Sequence, residues 1–162
     1  MKVVSDASPL IAPARIGCLE LLPALYGRVL IPNEVHSEVV VAGVGLPGSA
    51  LIADASWIEV CSVNGAVTDA VLRTGLGFGE VSAVMLAKEV AAGLTLIDER
   101  RGRRYAKDEG LEVIGCVCIL ETLHRRGRLA ELRDAYLRLL KQEFRIDRRT
   151  LKESLARLKL AP

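Results

Sequence analysis

Aromatic side chains are scarce in this 162-residue chain, at 4% of the composition. Few platforms are therefore available for stacking unpaired bases, and the core must be aliphatic. Histidine is scarcer still, limited to His36 and His124, so His-rich metal or acid–base chemistry lacks its usual parts. His36 precedes Glu38 on one segment and reads as a surface residue. The four cysteines, Cys18, Cys61, Cys116 and Cys118, contain no C-x-x-C pair. That spacing supports neither a zinc site nor a thioredoxin-type motif, and Cys116 and Cys118 read as small buried apolar residues. Net charge is only +2, too small to argue for nucleic-acid binding by itself, so local patches must carry any such claim. No apolar run approaches the ~18 residues of a membrane span. The stretch after Lys2 ends at Asp6 and does not resemble a secretory signal. Internal repeats and low-complexity segments are absent from the sequence. These absences point to a soluble, cytoplasmic protein in a reducing compartment, with no membrane partner.

What is present is a chain of domain size, roughly 100–200 residues, with 51% hydrophobic residues, enough for a real core and against wholesale disorder. Short apolar runs alternate with helical patterns. Lys2 to Asp6 predicts a first strand, and Ser8-Pro9 predicts a helix start with Ser8 as its cap. Arg28 to Ile31 predicts a second strand, and Pro32 opens a helix carrying Val35, Glu38, Val39 and Val41. Gly43 to Ser49 reads as a loop, and Trp57 to Val60 as a weakly alternating strand. A helix follows from Val67 to Arg73; then a glycine-rich loop, Gly75 to Gly79, feeds a helix from about Glu80 to Ala92, with Gly93 as its cap. Leu94 to Ile97 and Leu111 to Ile114 predict two more strands around a basic helix, Arg100 to Glu109. Helices finish the chain, near 117–126, 129–142 and 148–158. Strands alternating with helices predict an α/β fold: a three-layer α/β/α arrangement with a mostly parallel sheet.

Four acids stand out by position. Asp6 and Asp98 follow predicted buried strands, at the carboxyl ends where open α/β sheets place their sites. Glu38 and Glu80 fall on helices between them. Brought together, they would form an oxygen-rich cage suited to Mg²⁺ or Mn²⁺. Such cages serve phosphodiester chemistry, where cations activate water and stabilise charge on the leaving oxygen. Each acid also has a plain structural alternative: Asp6 and Asp98 as helix caps, Glu38 as a solvated helix residue, Glu80 as a complement to a helix dipole. Together, with two at strand ends, the site reading is favoured.

The ordered motifs resemble the PIN-domain family. Ser5-Asp6-Ala7-Ser8-Pro9-Leu10-Ile11 is similar to the family's opening. Ile31-Pro32-Asn33-Glu34-Val35 followed by Glu38, then Gly77-Phe78-Gly79-Glu80 before an alanine-rich helix, resemble its second and third motifs. Leu94 to Arg100, with Asp98 and Glu99, resembles the fourth, and Val113-Ile114-Gly115 follows. The match looks closest to toxin-type (VapC-like) prokaryotic PIN ribonucleases with a helical C-terminal extension. The resemblance implies a Mg²⁺- or Mn²⁺-dependent endoribonuclease domain over residues 1–126, and an extension over 127–162 packed on it. It implies metal ligation by Asp6, Glu38, Glu80 and Asp98, with Ser8 hydrogen-bonding beside the metals. It further implies products with 5′-phosphate and 3′-hydroxyl ends, an RNA substrate, an antitoxin protein as partner, and a homodimer. Two departures matter: many relatives carry Asp where this chain has Glu80, and Asp98 is followed here by a second acid, Glu99. Either Asp98 or Glu99 can be the fourth ligand, with Asp98 preferred, and Glu34 rivals Glu38 from one helical turn away.

Arg100, Arg101, Arg103, Arg104 and Lys107 crowd the segment after Asp98. Arg100, Arg104 and Lys107 share a helical face, so these residues, with Arg101, are candidates for gripping RNA phosphates. The alternative is an ordinary solvated face. Arg125, Arg126 and Arg128 surround a predicted turn at Gly127 and weigh less. The glycine loop lacks the preceding strand of a dinucleotide fingerprint and the lysine and hydroxyl of a P-loop. A receiver-like phosphotransfer domain would need paired acids after the first strand, and Asp6 stands there alone. The remaining rival is a catalytically inactive PIN-like module that binds RNA or protein.

Overall fold

The computed structural model describes residues 1–160 of the chain. Five short strands form one sheet: β1 (Val3–Ser5), β2 (Val29–Pro32), β3 (Ile58–Cys61), β4 (Leu94–Leu96) and β5 (Val113–Ile114). Their order is β3-β2-β1-β4-β5, and every adjacent pair is parallel. Parallel neighbours need crossover connections, which the helices supply. These are α1 (Ser8–Arg15), α2 (Leu22–Tyr26), α3 (Asn33–His36), α4 (Ser49–Ala53), α5 (Val67–Thr74), α6 (Phe78–Glu89), α7 (Arg100–Asp108), α8 (Cys116–Arg125), α9 (Leu132–Lys141) and α10 (Arg148–Arg157).

Side chains alternate across the sheet, and that alternation builds the three layers. Val3, Val29, Ile31 and Leu96 face a large aliphatic cluster formed with α1, α8, α9 and α10. Val4 and Leu30 face the other way, onto Ala83, Leu86 and Ala87 of α6. Val84 of α6 then meets Ile97 and Ala106, which joins α7 to that second layer. The central strand β1 is wholly buried, as a parallel strand covered on both faces must be. The predicted α/β/α architecture with a parallel sheet is the observed one.

The helices after residue 126 share this core through Leu132, Tyr136, Leu139, Leu151 and Leu155. Polar contacts fix them further. Tyr136 Oη lies 2.6 Å from Ser154 Oγ, and Arg157 pairs with the buried Glu121 of α8. The last two residues of the expected extension, 161 and 162, lie outside the described residues. Among the described residues, no single helix is long and apolar enough to cross a membrane.

Several local expectations need correction. Ser8 does not cap α1: Ala7 already has helical dihedrals, and its carbonyl accepts Leu10 N–H at 3.1 Å and Ile11 N–H at 3.0 Å. The chain turns into the helix directly after Asp6, which leaves the Ser8 hydroxyl off the backbone. Gly93 does not cap α6. Ala91 takes the left-handed conformation at φ 51°, and Ala92 N–H closes onto Ala87 O at 2.8 Å in a Schellman-type ending. Gly93 serves a close approach instead, since a Cβ there would meet Met1 Cγ at 2.3 Å. The helix after Pro32 is interrupted by a π turn, Ser37–Val41, where Ala42 N–H reaches Ser37 O at 2.8 Å. The segment after the Gly43–Ser49 loop folds into α4, which composition did not announce.

Candidate functional site

The strand order reverses between β1 and β4: the chain builds outward through β2 and β3 on one side and through β5 on the other. Crevices at such switch points lie outside the carboxyl ends of the two strands. Ser5 is in register with Leu96, and Asp6 N–H donates to Leu96 O at 2.9 Å. Asp6 is therefore fixed by the sheet ladder at the floor of the crevice, 6% exposed. Burial raises its carboxyl pKa from 3.8 to about 7; the Ala7 N–H opposes the rise, while the charges of Glu38, Glu80 and Asp98 add to it. The sheet thus holds Asp6 where the other three predicted acids act on it.

Glu38 lies in the π turn, an irregularity common at functional sites. It occupies the exposed rim, and partial desolvation of its carboxylate raises its pKa. A Cβ placed on Gly79 of α6 would lie 2.8 Å from Glu38 Oε2 and 2.9 Å from Asp6 Oδ1. The two carboxylates therefore flank one point on α6 that only a residue without a side chain leaves open.

Glu80 stands in the first turn of α6 and accepts the Gly77 N–H, the backward half of a capping box. Burial raises its pKa, the Gly77 bond opposes this, Glu99 and Glu38 push it further up, and Arg101 draws it down. Glu80 Oε2 is buried without a hydrogen-bond partner. A Cβ on Gly102 of α7 would sit 2.5 Å from that oxygen, so this glycine makes room for the carboxylate.

Asp98 is turned differently. Its Oδ1 accepts the Cys116 N–H at 2.5 Å, which ties the end of β4 to the start of α8. Arg103 donates to its backbone carbonyl, and Oδ2 is buried without a partner. Burial raises its pKa against the Cys116 N–H and the Arg103 charge. Glu99, not Asp98, lines the cavity of about 480 Å³ shared by Asp6, Ser8, Glu34, Glu38 and Glu80. Asp98 lines two adjoining clefts instead. Glu34 Oε2 is a further buried oxygen without a partner. His36 is half-buried on α3 and is not among the residues lining this cavity.

Among the described residues, no three His, Cys, Asp or Glu side chains form a ready-made metal cage. The donor chemistry nevertheless fits a hard divalent cation. Every candidate ligand is a carboxylate, Glu80 Oε2 is orphaned, and burial together with the neighbouring acids raises the Asp6 pKa, a cost that a cation would relieve.

The basic segment divides. Arg101 reaches Thr74 O at 3.5 Å, on the Glu80 side of the site. Arg100 lines a cleft beside Asp98 together with Arg103. Arg104 and Lys107 are exposed and line neither the acidic cavity nor that cleft, because the first turn of α7, not its length, faces the site. Sequence reasoning missed Arg15 and Arg145, which line the cleft shared by Ser8, Asp98 and Glu99. The available signal was a basic residue between two apolar ones, Phe144-Arg145-Ile146, in the break between two C-terminal helices.

A family model described as PIN domain matches residues 2–160, which includes the C-terminal helices. No curated protein matches the chain. PIN domains are generally nucleases, and they typically use divalent metal ions. With its five parallel strands, its switch-point crevice and a match over almost its whole length, this chain belongs to the PIN-domain family.

Proposed function

We propose that this protein is a Mg²⁺- or Mn²⁺-dependent endoribonuclease, the toxin component of a toxin–antitoxin pair working on cytoplasmic RNA. The observation that supports the nuclease reading is the shared acidic cavity at the switch point: Asp6, Glu38 and Glu80 line it, and Asp6 Oδ1 and Glu38 Oε2 flank one point on Gly79. Asp6, Glu38 and Glu80 would hold the cation, with Asp98 or Glu99 completing the set. When bound, the cation acidifies water and neutralises charge on the scissile phosphate.

The chain's own groups do the rest. The sheet fixes Asp6, and the Gly77 N–H orients Glu80. The Ser8 hydroxyl, on the cavity wall, is free to donate to a phosphate oxygen. Arg100 and Arg101, at the start of α7, offer positive charge to the strand. In hydrolysis the water oxygen joins phosphorus, the P–O3′ bond breaks, and a proton passes to the departing 3′ oxygen. The toxin role and the homodimer rest on the motif resemblance. Exposed Val41, Val44, Leu46 and Leu51 supply apolar surface that an antitoxin or second copy would need.

The rival reading is a PIN-like module that binds RNA or protein without turnover. Cleavage decides between them. A pool of structured and single-stranded RNA is incubated with the protein and Mn²⁺ or Mg²⁺, with EDTA and Asp6→Asn protein as controls. Cleavage abolished by both controls is the expected result. Absence of cleavage by folded, partner-free protein would favour the binding module.

A further inference from the structure

The acidic cavity does not stand alone. Ser8 and Glu99 line it and also a second cleft of about 290 Å³, which Arg15, Asp98, Glu143 and Arg145 share. Asp98 and Arg145 in turn line a third, of about 390 Å³, with Arg100, Arg103, Asp147 and Thr150. These shared lining residues set the three side by side as a track of adjoining clefts, from Asp6 to the start of α10. Its far wall is the break between α9 and α10, so the C-terminal helices shape the groove and do not merely cover the core.

The charges in the third cleft are unequally committed. Asp98 Oδ1 accepts the Cys116 N–H, and Asp147 Oδ1 accepts the Arg149 N–H at 2.9 Å, so each acid has one oxygen engaged by a backbone donor. Arg103 is held on the Asp98 carbonyl. Arg100 and Arg145 are both exposed, and neither has a hydrogen-bond or ion-pair partner among the described residues. Two free guanidiniums that converge on one cleft, with the Thr150 hydroxyl beside them, suit a phosphate, which takes guanidinium donors in pairs. No equivalent cation from the C-terminal region lines the acidic cavity.

We infer that Arg145, with Arg100, binds the phosphate backbone of a single-stranded RNA along this track, and that the C-terminal helices thereby supply part of the substrate site. The strand's identity as RNA rests on the nuclease reading above. Exposed Arg145 adds little to folding, so its value lies in holding the strand beside Asp6 rather than in the chemistry.

The test reads binding apart from cleavage. Anisotropy of a labelled single-stranded RNA is measured in EDTA over a salt series, for the unaltered protein, Arg145→Ala, Arg145→Lys and Arg149→Ala. Arg149 is a charge-matched control, paired with Glu153 and outside the cleft. Arg145→Ala is expected to raise Kd about 5- to 20-fold and to flatten the log–log salt slope by about 0.7. Arg145→Lys keeps the slope, and Arg149→Ala stays within about twofold. A Kd and slope unchanged in Arg145→Ala, an equal effect in Arg149→Ala, or no binding by the unaltered protein overturns the inference. Absence of cleavage with Mn²⁺ or Mg²⁺ overturns the nuclease reading alone, because binding is read in EDTA and does not depend on turnover.

Discussion

Gly79 holds apart what it brings together: a single added carbon at its Cα would lie 2.8 Å from Glu38 Oε2 and 2.9 Å from Asp6 Oδ1. The atoms it meets are the ends of two side chains rather than backbone, so the fold can yield while the carboxylates cannot stay. Gly79→Ala is therefore expected to cut nuclease activity roughly 100-fold, the scale of a displacement near 1 Å. Its melting temperature should remain within a few degrees, helped by the better helix propensity of alanine. Paired activity and thermal-melt measurements check this; equal loss of both would make Gly79 a folding residue.

Burial of the acids, reinforced at Asp6 and Glu80 by neighbouring carboxylates, makes the metal-free protein sensitive to pH. The folded Asp6 keeps its proton up to about 7, whereas the unfolded chain releases it near 3.8. Between those values the folded state binds more protons, so stability falls as pH rises and the full penalty is present above 7. Three units correspond to at most about 4 kcal/mol. The raised pKa values of Glu38, Glu80 and Asp98 act in the same direction. Melting curves in EDTA should show Tm declining from pH 4 to 7, with a flatter profile for Asp6→Asn. Saturating Mn²⁺ should remove most of the decline, because a ligand bound only to the folded state stabilises it. A flat profile in EDTA would refute the burial of Asp6 among the other acids.

Asp98 and Glu99 separate by different readouts. Asp98 anchors the first turn of α8 through Cys116 N–H, so Asp98→Ala should cost about 1–2 kcal/mol, the scale of a lost helix cap. Glu99 is exposed and faces the acidic cavity, so Glu99→Gln should leave stability unchanged. Denaturant titration checks the stability difference. Metal titration of the two variants then shows whose carboxylate the cation uses.

A fourth prediction concerns the C-terminal helices. Glu121 is 7% exposed at its side chain and is paired with Arg157, which is 55% exposed. Arg157→Ala should cost roughly 1–3 kcal/mol, because it strands a buried carboxylate, with some of the loss offset by solvent reaching the gap. Adding Glu121→Gln should recover part of that cost. Chemical denaturation of the single and double variants measures the coupling, and additive losses would show that the pair is not coupled.

The sheet and its acids were legible because each rests on a short contiguous signal. Val3-Val4 before Asp6, and Leu94 to Ile97 before Asp98, are buried runs that end in a carboxylate, and parallel strands buried on both faces read as continuous apolar stretches. What was illegible depends on contacts between distant segments. Glycine normally marks a left-handed helix end, yet Ala91 takes that role while Gly93 is reserved for Met1. One extra residue in a turn leaves no trace in composition, so the π turn around Glu38 was hidden. The hydrogen bond that holds Asp98 Oδ1 comes from Cys116, three elements later. Arg145 gains meaning only once the α9–α10 break is folded back against β4's end.

The reversal of strand order between β1 and β4 also sets a timetable. During synthesis Asp6 and Glu38 emerge early, but Glu80 follows β3, and Asp98 follows the strand that completes the switch point beside β1. An incomplete chain that stops at β3 holds half of the acids and none of the α7 arginines. A fragment that ends there lacks the Glu80 and Asp98 carboxylates, so the acidic site is assembled only once β4 has joined β1.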